Sequence, residues 1–287
     1  MKAVYLKELK SFFNNISGFV FCGFILFFAG IYTMAINLSQ ASPNFEYSIA
    51  NMAFVYLICI PVLTMRIISE ERKQKTDQLF YSLPISMNSV VLGKYFAMLT
   101  VLLIPLVVLA AYPLILSAFG TVSFRAAYGT LFGFFALGAA LTAIGMFISS
   151  LTENQVIAGV VTIVALLIIY YLGTLATMVS VSSAIAMVVF SIIALIICGI
   201  VWYLTKNSVV SIVLFAACEF VLLIIKNSFT SVFSSLLPSV MKKIALFDRF
   251  YDFPNGIFDI TTLVFYIMIA VLFVFFTVQA MEKRRWS

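Results

Sequence analysis

The sequence predicts an all-α protein, a polytopic helical bundle that crosses a membrane about eight times with both termini in the cytoplasm. Three observations carry that expectation. Of 287 residues, 64% are hydrophobic and only 10% charged, whereas a soluble domain is roughly 45–50% apolar and about 25% charged. The mean hydropathy of +1.16 spreads the excess along the whole chain, and no packed core of this size hides so much apolar surface from water. The apolar residues also fall in runs of the roughly 20 that a helix needs to cross the hydrocarbon core. Lysine and arginine gather in alternate connections, the bias that sets orientation.

The chain opens with an expected interfacial helix over residues 1–16. Leu6, Leu9, Phe13 and Ile16 recur at helical spacing opposite Lys7, Lys10 and Asn14, which suits a helix on the inner leaflet with its lysines toward anionic headgroups. Eight runs then read as spans: Phe19 to Asn37, Ile49 to Ile68, Val90 to Leu116, Ala126 to Ile148, Val156 to Ala176, Ala184 to Leu204, Val209 to Ile225 and Ile260 to Ala280. The first is longer than the 7 to 15 apolar residues of a signal-peptide core and no small-residue cleavage site follows it, so it is expected to stay. Lys2, Lys7, Lys10, Arg66, Arg72, Lys73, Lys75, Lys94, Lys206, Lys283, Arg284 and Arg285 fall on the cytoplasmic side, and Arg125 alone in the short external loops. Basic ends require an even number of crossings. The pair within residues 184–225 therefore crosses twice or not at all; a turn at Thr205 to Ser208 favours two crossings, with six spans plus a re-entrant pair as the alternative.

Two longer connections carry pattern of their own. Residues 69–88 hold the sequence SEERKQKTDQLFYSLPISM, with Glu70, Glu71, Arg72, Lys73, Lys75 and Asp77 followed at helical spacing by Leu79, Phe80 and Leu83, and closed by Pro84. That is a short amphipathic helix, longer than a plain connection needs; docking of a partner and a solvated hairpin fit its spacing equally well. Residues 227–259, external in this topology, place Phe229, Val232, Phe233, Leu236, Leu237, Val240, Ile244 and Phe247 on one face and serines with Lys242 and Lys243 on the other. Pro238 should break this into an amphipathic helical hairpin.

Composition also excludes chemistry. There is no histidine, which removes histidine triads and histidine-ligated metals. Cys22, Cys59, Cys198 and Cys218 lie apart inside apolar runs, as buried small hydrophobes do. The net charge of +6 has no polar domain on which to display a nucleic-acid surface. Gly93-Lys94 is followed by Tyr95 and preceded, five residues before Gly93, by Asn88, so the phosphate-cradling Gly-x-x-x-x-Gly-Lys-Ser/Thr loop is missing. No catalytic, cofactor or metal residues are expected in this chain.

Several motifs resemble one family: KELKSFF near the N-terminus, PVLTMRIISEERKQKTDQLFYSLPIS closing the second span, GKYFAM, SSLTENQ, and FDRFYDFPNGIFDITTLVFY with VQAMEKRRW at the end. Together they resemble the permease subunit of bacterial type 2 ABC exporters, in the gliding-motility-like branch. The family's loop motif is matched at Glu71, Arg72, Thr76, Asp77, Leu79 and Pro84, while Lys75 stands where glycine is common. The resemblance implies a bacterial cytoplasmic membrane, a separate ABC ATPase carrying ATP and magnesium, and a second permease copy, identical or related. It makes the loop a coupling helix seated on that ATPase through Glu70, Glu71, Arg72, Thr76, Asp77, Leu79, Phe80, Leu83 and Pro84. Glu153, in the turn Leu151 to Gln155, is a second possible inner contact. The family usually has six spans, so the pair at 184–225 is a departure.

Intramembrane charges point to transport paths, and the residues offer one, Glu219 in AACEFVLL. A path so poor in charge suits a hydrophobic or amphipathic cargo. Pro61, Pro105 and Pro113 are expected to kink spans, and Gly129, Gly133, Gly138 and Gly145 to admit a close helix neighbour, with the dimer face as one candidate. The rival readings are an ion-driven secondary transporter, which normally needs several polar midplane groups, a membrane-embedded enzyme, and a non-transporting scaffold or sensor.

Overall fold

The computed structural model describes residues 1–76, 86–178 and 238–285, with isolated residues between 187 and 222. These residues are all-α. Six helical stretches among them are long and apolar enough to cross a membrane: Ser17–Leu38, Phe45–Lys73, Met87–Leu116, Phe124–Leu151, Gln155–Thr177 and Ile260–Arg284. The expected pair within 184–225 lies outside the described residues apart from isolated positions. Residues 1–170 with 246–287 form one compact unit and 171–245 another.

The first helix, α1 (Lys2–Asn14), precedes the spans. Its buried face is Val4, Glu8 and Phe12, whereas Leu6 and Ile16, expected on the apolar side, are exposed. Leu9 and Phe13, from the same predicted stripe, pack against the core, and Glu8 is turned inward to a buried lysine described below. Span 1 is α2 (Ser17–Tyr32), closed by a π-helical turn at Thr33–Leu38. There Asn37 donates to the Ser42 carbonyl at 2.8 Å and accepts from Ser48 at 2.6 Å, which satisfies the irregular backbone at the hairpin into span 2.

Span 2 is assembled from short pieces: α3 (Phe45–Met52), a 3₁₀ turn at Ala53–Val55, α4 (Tyr56–Thr64) and α5 (Ser69–Lys73). Pro61 lies inside α4 and the ladder lapses between Thr64 and Ser69. Span 3 joins α6 (Met87–Leu109), which absorbs Pro105, to α7 (Tyr112–Leu116), where Pro113 occupies the first turn and needs no N–H partner. Then follow α8 (Phe124–Leu151), α9 (Gln155–Met178), the short α10 (Leu246–Phe250) and α11 (Ile260–Arg285). Asp259 caps α11, accepting from the backbone of Thr261 and Thr262 and from the Thr262 hydroxyl; the last of these bonds, with the others, holds its carboxyl below the ordinary range.

Burial sorts the spans into layers. In spans 2 and 4, 72% and 67% of the apolar window is buried, against 22–39% in the other spans, so α3–α4 and α8 form the centre and the other spans are the more exposed. Small residues place α8 there. A side chain at Gly138 would meet the Tyr56 hydroxyl at 2.8 Å, one at Gly145 would run into Thr64, and one at Gly133 would meet the Phe253 ring at 2.7 Å. The glycine series is therefore occupied by this chain's own packing, which removes it as a dimer face. Opposite Gly138, Tyr56 stacks on Phe134 at 4.1 Å and donates to its carbonyl at 3.1 Å.

The segment expected as an external hairpin is described from Pro238 onward. Residues 238–244 are helical, with Val240 and Ile244 exposed. The chain turns at Ala245, and Leu246, Phe247, Phe250 and Phe253 are buried. The Tyr266 hydroxyl donates to the Leu246 carbonyl at 2.8 Å, and the Arg249 guanidinium sits 4.3 Å over the Phe265 ring.

Candidate functional site

At one end of the bundle the structure gathers four charges from three parts of the sequence. Lys94, two turns into α6, is 0% exposed. From the sequence it counts only as a charge on the cytoplasmic side of the third run; the structure buries it inside the bundle. Its own helix offers no acid one turn away, so its counter-charges come from other elements. The ammonium lies 3.0 Å from Glu8 Oε1 of α1, 2.8 Å from Glu71 Oε2 of α5, and donates to the Ile67 carbonyl at 3.0 Å. Two hydrogen bonds and a close ion pair thus surround the ammonium, the condition for a tolerable buried charge. Lys7 closes the group from the surface, 3.2 Å from Glu71 and 3.6 Å from Glu8. Partial burial depresses the Lys7 pKa, but Glu71 and Glu8 outweigh it and hold the ammonium above its ordinary value.

The break in span 2 is part of the same construction. Ile68 and Ser69 find no partner in their own helix; their N–H groups donate to the Ser149 hydroxyl of α8 at 3.4 and 3.2 Å, and that hydroxyl donates to the Met65 carbonyl at 3.2 Å. The freed Ile67 carbonyl is the one Lys94 takes. One serine and one lysine thus satisfy backbone that a regular helix would have satisfied by itself.

Helix α5 ends in a Schellman turn: the Thr76 N–H reaches the Glu71 carbonyl at 3.0 Å and the Lys75 N–H the Arg72 carbonyl at 3.1 Å. Lys75 has φ +56°, the left-handed conformation at which glycine carries no Cβ penalty, and this accounts for glycine being common at that position in the resembled family. Lys75→Gly should stabilise the turn by about 1 kcal/mol. Amide hydrogen exchange at Thr76 reads this as protection raised roughly fivefold, by RT of ≈ 0.59 kcal/mol.

Of the residues singled out in the loop, Glu70 is half-buried, Glu71 is committed to Lys94 and Lys7, Arg72 is buried, and the Thr76 hydroxyl donates to the Glu71 carbonyl at 3.3 Å. Asp77, Leu79, Phe80, Leu83 and Pro84 lie outside the described residues. Glu153 is exposed and pairs with Arg284 at the end of α11, at the same end of the bundle as the lysine cluster. Glu219 is helical and half-buried, and its Oε1 is buried with no hydrogen-bond partner among the described residues. It is not the one ionisable group inside the spans: Lys94 and Glu46, 5% exposed with an unpartnered Oε2, join it. The signal for Lys94 and Glu8 was present in the sequence. Lys94 falls inside an apolar run, and Glu8 sits at the i, i+4 positions of Val4 and Phe12.

A second feature is an apolar cleft of about 620 Å³ between α6, α8 and α11, walled by Leu92, Phe96, Phe135, Ile267 and Val271 among others, with Asn88 at one end.

Six helices long and apolar enough to cross a membrane define a multi-pass membrane protein. The sequence pattern of the ABC-2 family transporter proteins matches residues 4–181, more than half of the chain, and the chain belongs to that family. The match runs from α1 through α9 and stops before the last span. Membership implies an ATPase partner carried on another chain. No curated protein matches the chain, and no solved structure does.

Proposed function

We propose that this protein is the membrane-spanning subunit of an ATP-driven exporter of the gliding-motility-like branch, acting as a dimer in a bacterial cytoplasmic membrane. In this reading the end holding Lys94 faces the cytoplasm, residues 69–88 are the coupling helix, 184–225 add a pair of spans to the usual six, and 227–259 cover the external side. The observation that carries it is the convergence of α1, α5 and α6 on Lys94. A segment that only joined two spans has no need of a buried, fully paired lysine at its root; one that receives force does. ATP-driven closure of the partner would press on Glu70 to Pro84, with Asp77 and the apolar Leu79, Phe80 and Leu83 making the contact, and Glu153 with Arg284 offering a second contact beside it. The cargo is hydrophobic or amphipathic: the apolar cleft and the scarcity of charge along the spans support that class, and Glu219 is the candidate polar contact.

The test is purification of the tagged chain from its native membrane in mild detergent, followed by mass spectrometry. A soluble protein with a phosphate-binding loop should co-purify, and Leu79→Asp with Phe80→Asp should release it while the chain itself is recovered in the same yield. Repeated recovery of the chain without such a partner, under conditions that keep other membrane complexes whole, would overturn the reading in favour of an ion-driven transporter or a scaffold.

A further inference from the structure

The seam between the α1–α2 corner and the end of α4 is a groove that the proposed function does not use. Its wider part, about 500 Å³, is lined by Asn14, Asn15, Ser17 and Arg66 on its polar side and by Val20 and Met65 on its apolar side. A narrower, more polar recess of about 40 Å³ adjoins it through Asn15, Ser17 and Arg66 and reaches Glu70. Arg66 and Glu70 are four residues apart, a spacing at which opposite charges in a helix ordinarily pair. Here the helix is irregular between them, with Ile68 at φ −123°, and although the Glu70 N–H donates to the Arg66 carbonyl at 3.3 Å, the exposed Arg66 side chain makes no ion pair or hydrogen bond among the described residues. Glu70 accepts a long hydrogen bond from Gln74 at 3.4 Å. The groove thus presents a separated cation and anion at one end and an apolar wall at the other. It lies where the surface helix α1 meets the first turn of span 1, the depth at which lipid headgroups sit.

We propose that this groove binds a zwitterionic phospholipid whose headgroup ends in a primary amine. The phosphate lies against the Arg66 guanidinium and the Asn14 and Asn15 amides, in charge-assisted hydrogen bonds. The ammonium reaches the Glu70 carboxylate through the narrow recess, and the acyl chains leave along Val20 and Met65. A quaternary ammonium has no N–H to give Glu70, and a headgroup with net negative charge meets that carboxylate as a like charge, so the site distinguishes phosphatidylethanolamine from both phosphatidylcholine and phosphatidylglycerol.

The experiment is to exchange the full chain into micelles carrying equal amounts of those three lipids and to count retained lipid by native mass spectrometry. Phosphatidylethanolamine should be retained about tenfold over phosphatidylcholine. Arg66→Gln should reduce retention of it about tenfold, and Glu70→Gln should erase the preference over phosphatidylcholine. Equal retention of all three lipids by the unaltered chain, preferential retention of phosphatidylglycerol, or indifference to Arg66→Gln would each overturn the proposal. The lipid competition needs no variant, so it decides the matter even if a substitution impairs folding. No ATPase is present, so the result is independent of the exporter reading.

Discussion

Lys94→Met is expected to be strongly destabilising. It leaves Glu8 and Glu71 buried beside each other without the ammonium that lies within 3.0 Å of both, and it strips the Ile67 carbonyl of its donor. Removing one partner of a buried ion pair costs about 3–5 kcal/mol because the other charge stays desolvated. Thermal unfolding in detergent, followed by circular dichroism, should show a large loss of stability. The triple variant Lys94→Met, Glu8→Leu, Glu71→Leu removes all three buried charges and should recover most of it, since apolar replacement of a whole buried network is often neutral or favourable. The same triple variant separates stability from mechanism. It should fold, yet if the cluster conveys force from α5 it should hydrolyse ATP with its partner without responding to cargo. A triple variant as unstable as Lys94→Met would show that packing around the cluster, and not its charge balance, is what matters.

The second large effect is expected at Gly145. In an exposed helix Gly→Ala gains about 1 kcal/mol through backbone entropy, and Gly23, with open space where a Cβ would go, should follow that rule. Gly145 should do the opposite. A Cβ there meets the Thr64 Cβ at 2.9 Å, and Thr64 is held in place by its own bond to the Ile60 carbonyl at 2.9 Å. Overpacking of this kind costs about 1–3 kcal/mol, so Gly145→Ala should destabilise and Gly145→Leu should prevent assembly of spans 2 and 4. Thr64→Ala in the Gly145→Ala background should return part of the loss. Unfolding midpoints of the four combinations form a double-mutant cycle that isolates the contact.

What could be read from the residues, and what could not, divides along physical lines. Span positions were legible because hydropathy acts over some 20 residues at a time, and six of the eight expected runs coincide with described helices. Helix ends were less so: the helical stretch of span 2 extends to Lys73, with Glu71 of α5 paired to Lys94 inside the protein, which no window average registers. The inward charge of α1 was not legible for a related reason. Leu6 and Ile16 are apolar but face outward, and Glu8 is charged but faces inward, since in lipid the outside favours hydrocarbon and the inside can hold a paired charge. The loop residues Glu71 and Arg72 were recognisable as a motif, yet spacing alone could not reveal that Glu71 is spent within the chain. Ser149 was quoted in SSLTENQ without any role, because a single hydroxyl that mends another helix leaves no periodic trace.

That hydroxyl bears on how a load travels through the molecule. A helix behaves as a strut along its axis only while its hydrogen-bond ladder is continuous, and span 2 is discontinuous between Thr64 and Ser69, where the Ile68 and Ser69 amides leave their own helix for Ser149. A push delivered to α5 therefore cannot run straight up the span. It divides sideways, through Ser149 into α8 and through Lys94 into α6 and α1. Because α8 is the most centrally packed long helix and touches α3, α4, α6 and α11, the proposed coupling would load the bundle from its axis outward. In that proposal span 2 is a jointed linkage whose bearing surface, the Ser149 hydroxyl, belongs to its neighbour.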